Sequence, residues 1–108
     1  MTDMTGADDK TASLLAALWL RNRPLIEERL ALLGRAAAAA AAGTLSEEQC
    51  DEASHTAHKL AGSLGMYGYD EGTRIAREME VLLGTDAPDA AQLETLIAEL
   101  RKAVFPEG

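Results

Sequence analysis

Apolar side chains recur at intervals of three and four along most of this chain, and that spacing is the signature of helices with one buried face. Ala53, Ala57, Leu60 and Leu64 form one such stripe, and Leu93, Leu96, Ile97, Leu100 and Val104 form another. The stripes stop where glycine and proline gather, at 43–46, 65–68 and 84–89. Alanine and leucine dominate, aromatic residues are only 4%, and β-branched residues are few, so an all-α chain is expected.

The stops divide the chain into segments. Residues 1–10 are polar and acidic and read as a flexible tail, with the helical bundle domain over 11–105. Leu14, Leu15, Leu18 and Trp19 share a face, with Trp19 as a lid over one end of the core. Pro24 is expected to break the chain into a short helix ending near 21–22 and a longer one beginning at the proline. The longer helix turns Leu25, Ile26, Leu30, Leu33, Ala36, Ala37 and Ala40 inward and ends at Gly43. Ser46 and Gln49 have the spacing of a capping box before the next helix, which runs to about Leu64. Asp70 is expected to cap a helix over 71–83, with Ile75, Met79, Leu82 and Leu83 inward, and Asp89 the last one. Short links between four substantial helices predict an antiparallel up-and-down four-helix bundle preceded by a short N-terminal helix.

Length and charge narrow the function. At 108 residues there is room for one domain with a modest core. A net charge of −8 and no basic stripe argue against nucleic acid. No apolar run is long enough to span a membrane, and Asp3, Asp8 and Asp9 stand where a secretory leader would be basic. One cysteine, Cys50, excludes an intrachain disulfide and fits a reducing cytoplasm, where it reads as a small half-buried apolar residue.

The stretch from 53 to 80 carries the chemistry. His58 lies off the apolar stripe of its helix, and Ala61 and Gly62 follow one turn later. A glycine inside a helix costs about 0.5–1 kcal/mol relative to alanine, so its presence beside an exposed imidazole suggests space kept open for another protein. The segment AHKLAGSLGMYGY resembles the phospho-accepting motif of histidine-containing phosphotransfer (HPt) domains, four-helix bundles of two-component phosphorelays. That pattern runs His, any residue, an apolar residue, Lys, Gly, with a further glycine opening the next helix. His58, Leu60, Gly62 and Gly68 fit it, whereas Ala61 stands at the lysine position.

The resemblance implies that His58 accepts a phosphoryl group and that Glu80, on the following helix, hydrogen-bonds its Nδ1. The missing lysine's task of offsetting phosphoryl charge would pass to Lys59 or Arg77, although Lys59 points about 100° away from His58 on the helix. Ser54, His55, Ala61, Gly62, Gly65 and Arg77 would form the partner-binding face. The implied partners are a receiver domain of a response regulator, bringing the aspartate and Mg²⁺, and a hybrid histidine kinase. The chain itself is expected to be a monomer, to hold no cofactor and to lack autonomous kinase activity. GSLGMYG lacks the terminal Gly-Lys-Ser/Thr of a phosphate-cradling loop.

Two other readings of the same residues stand beside this one. The first is a non-catalytic helical interaction module with a degenerate motif. The second is a metal site on His55 and His58 with Glu52 or Cys50, which lacks a well-spaced third ligand, so no metal is expected.

Overall fold

The computed structural model describes residues 2–107, with side chains from Lys10 onward. Its four helices are α1 (Thr2–Ala42), α2 (Glu47–Met66), α3 (Asp70–Leu83) and α4 (Ala90–Val104), with no strand among the described residues. α1 packs on α2 and α4, and α3 packs on the same two, so the core lies at the centre of a four-membered ring of helices. Arg29 meets Ser63 while Asn22 meets Tyr67 just beyond α2, and Ala61 meets Thr73 while His58 meets Glu80, so α1 and α2, and α2 and α3, run antiparallel. The expected all-α bundle is the observed one.

Each stripe supplies part of one core: Ile26, Leu30 and Leu33 from α1, Leu60 and Leu64 from α2, Ile75 and Met79 from α3, Leu93 and Leu100 from α4. All are essentially removed from water, and each such side chain contributes about 1.5–3 kcal/mol relative to an exposed one. The buried Thr56 hydroxyl donates to the Glu52 carbonyl, and no buried side-chain polar atom among the described residues lacks a partner.

Links between helices follow local chemistry. Gly43 has φ 73°, and the bonds Thr44 N–H to Ala39 carbonyl and Gly43 N–H to Ala40 carbonyl form a Schellman end to α1. Gly68, at φ 81°, ends α2 the same way, with Tyr69 N–H on the Leu64 carbonyl. Ser46 and Gln49 make the expected capping box, and Asp89 accepts from Gln92 N–H. Asp70 is not a cap. The N-cap of α3 is Tyr69, whose ring packs on Trp19 and whose side chain has no short acceptor to reach the first-turn amides; Asp70 and Glu71 instead place negative charge in the first turn.

The first helix differs from expectation. α1 is continuous over 41 residues with Pro24 inside it, so the short separate N-terminal helix does not exist. Contacts on both sides of the proline hold the helix together: after it Ile26 and Leu30 are buried in the core and Arg29 donates to Ser63, and before it three side chains are tied to the bundle. Trp19 packs on Tyr67, Tyr69 and Phe105, Asn22 bonds the Leu18 carbonyl and the Tyr67 hydroxyl, and the Arg23 guanidinium lies 4.6 Å from the Phe105 ring centre. Trp19 thus covers one end of the core as expected. α1 outruns its neighbours, which leaves Leu14 62% exposed and Leu15 also exposed, while Leu25, expected inward, lies beside the buried Ile26 but off the buried face and is exposed. The expected tail over 1–10 falls almost wholly on residues whose side chains lie outside the described ones; backbone helix begins at Thr2.

Candidate functional site

His58 reaches the surface because the α2 positions around it are used for the core. Ala53, Ala57, Leu60 and Leu64 point inward, which turns position 58 outward along the α2–α3 seam. On α3, Ile75, Ala76, Met79 and Leu83 point inward, and Glu80 follows Met79 onto the same seam. The two meet there: His58 Nδ1 lies 3.0 Å from Glu80 Oε2 and 3.3 Å from Oε1. The imidazole is 73% exposed and the carboxylate 37% exposed, so one ring edge is held while the other faces solvent.

This geometry assigns the tautomer. An ionised carboxylate can only accept, so Nδ1 carries the hydrogen that is shared with Glu80. In the neutral ring Nε2 then keeps its lone pair and projects away from the bundle.

Ser54, His55, His58 and Glu80 line a shallow depression of about 330 Å³. Gly62 is exposed one turn further on, and a Cβ built there meets nothing within 4 Å. Gly65 is also exposed, next to the Thr73 side chain. Ala61 departs from expectation. It is only 5% exposed and belongs to the core, its carbonyl accepting from the Thr73 hydroxyl, so it offers no surface to a partner. Lys59 and Arg77 are exposed but do not line the depression. Arg77 instead borders a groove of about 610 Å³ with Thr73, Arg74, Val81 and Gln92, which is larger but holds no histidine or other nucleophile of comparable strength.

Two contacts near the site were not foreseen. The Thr73 hydroxyl ties α3 to the Ala61 carbonyl across the seam, and Arg29 donates to the Ser63 hydroxyl from α1. A polar β-branched residue between Gly72 and Ile75 was a visible sign of the first; the second joins residues 34 apart and leaves no local trace. Cys50 donates its thiol to the Leu83 carbonyl, and burial, then the charge of Asp51, push its pKa up. Among the described residues no three His, Cys, Asp or Glu side chains are arranged to hold a metal ion, and no helix is long and apolar enough to cross a membrane.

Comparison with known proteins agrees with this architecture. The chain is 29% identical over 96 residues to Protein RcaC of Microchaete diplosiphon, a match covering 85% of this chain but only 15% of RcaC. No solved structure matches significantly. Residues 23–104 match the Hpt domain family, from within α1 to the end of α4. An outward imidazole steadied from the next helix of an antiparallel bundle is therefore found in a chain that belongs to the Hpt domain family, whose members transfer phosphoryl groups in two-component signalling with receiver domains and kinases.

Proposed function

We propose that this chain is a phosphorelay intermediate that takes a phosphoryl group onto Nε2 of His58 and passes it to a receiver aspartate. The observation that carries the reading is the Nδ1 contact with Glu80 on an otherwise open ring. In the forward step the Nε2 lone pair attacks phosphorus in line. The N–P bond forms as the P–O bond of an aspartyl phosphate breaks, and the aspartate leaves with its electron pair. No proton has to leave the attacking nitrogen, and the positive charge that develops on the ring lies against the Glu80 carboxylate. The reverse step hands the group to a second aspartate.

Catalysis on this side of the complex is a matter of holding the ring still and letting a partner approach, with Mg²⁺ belonging to the receiver. The donor is a receiver aspartate or a hybrid histidine kinase, the chain acts as a cytoplasmic monomer, and it does not phosphorylate itself from ATP. Ser54, His55, Gly62 and Gly65 form the ground around the ring on which a receiver would settle.

Incubation with a phosphorylated receiver is expected to label the chain, and His58→Gln to abolish the label. A label that persists in that variant places the acceptor elsewhere. A fully folded wild-type chain that binds the receiver yet takes no label would favour the non-catalytic interaction module.

A further inference from the structure

The family pattern puts a lysine three positions after the histidine, and here that position is the buried Ala61. A phosphoryl group on His58 still needs hydrogen-bond donors, since its oxygens carry negative charge and the molecule already has a net charge of −8. Ala61 and Gly62, one turn after His58, carry no side-chain donor, whereas helical side chains lean towards the N-terminus of their helix and bring the His58 ring over the turn before it. That is where the depression lies, and its lining consists of Ser54, His55, His58 and Glu80.

Glu80 is committed to Nδ1 and would repel phosphoryl oxygens. Lys59 and Arg77 do not line the depression. Two donors are left. His55 is exposed and stands three residues before His58, which brings their Cβ atoms within about 5–6 Å on a helix. Ser54, half-buried beside it, offers a hydroxyl.

We propose that His55, through a ring N–H, holds the phosphoryl oxygens on Nε2 of His58, with Ser54 Oγ as the second donor, and so takes over the role of the absent lysine. The inference rests on His58 being the acceptor. It makes His55 a contact of the transferred group instead of a bystander on the docking face.

Phosphoramidate can load the full chain without a partner protein: its P–N bond breaks, ammonia leaves, and the N–P bond to His58 forms. Because phosphoramidate also phosphorylates other exposed imidazoles, loading at position 58 alone is followed by fragment mass for the wild type, His55→Ala, His55→Lys and His58→Gln, with helicity checked by circular dichroism. His55→Ala is expected to load about tenfold more slowly, His55→Lys to recover most of the rate, and all to keep the fold. Wild-type loading by His55→Ala overturns the inference, as does a folded His55→Lys no faster than His55→Ala. Failure of the underlying reading looks different: the mapped label lies away from His58 in the wild type and in both position-55 variants.

Discussion

Glu80 lies against His58 Nδ1 in a way that a water molecule would not: it fixes which nitrogen carries the hydrogen, and in the proposed transfer it would bring negative charge to the ring as phosphorus attaches. A hydrogen bond to a charged group is worth about 1.5–3 kcal/mol, so Glu80→Ala should slow phosphotransfer by about 10- to 100-fold with the fold intact. Equal rates in single-turnover transfer assays would remove the orienting role. Periodicity shows that positions 58 and 80 lie off their stripes, but not that residues 22 apart meet; only the likeness to a known pattern paired them. Ala61 was misread for a physical reason. Alanine is small enough for either side of a helix, and it lies only about 60° from His58, on the edge where surface turns to core. Cys50 was easier, being flanked by no cation. With its pKa raised, less thiolate forms at a given pH, so iodoacetamide should modify it more slowly than free cysteine at pH 8 and at the free rate in urea. Fast modification of the folded chain would contradict the half-buried, bonded thiol.

Among the elements, the three helices after α1 were largely legible because glycine chemistry marks their ends. The Gly43 and Gly68 turns need positive φ, and the Ser46 and Asp89 caps follow short-range rules. α1 was not, since the rule that proline ends a helix is local and the contacts that override it are distant. The override has a cost. Pro24 supplies no N–H for the Leu20 carbonyl, and an interior proline is about 3 kcal/mol less favourable than alanine. Pro24→Ala should therefore stabilise the chain by up to that amount in urea unfolding, most of it as slower unfolding if α1 docks late. A variant no more stable than the parent would mean that the α1 turn around residue 20 has already satisfied that carbonyl.

For the molecule as a whole, the bundle is a frame that leaves one seam, between α2 and α3, holding the His58–Glu80 pair and its open depression. The aromatic rings gather elsewhere. The chain's one tryptophan, both tyrosines and one phenylalanine all meet where α1, α4 and the α2–α3 turn come together, Trp19 lying 4.9–5.8 Å from the other three ring centres. Aromatic rings are the chromophores of a protein, so this one wears its colour at a single pole and carries its His58–Glu80 pair along a flank. Charging position 58 should leave the ultraviolet emission of Trp19 where it was. A shift in that emission on mixing with a receiver would then signal a change in the packing of that pole, readable apart from the transfer itself.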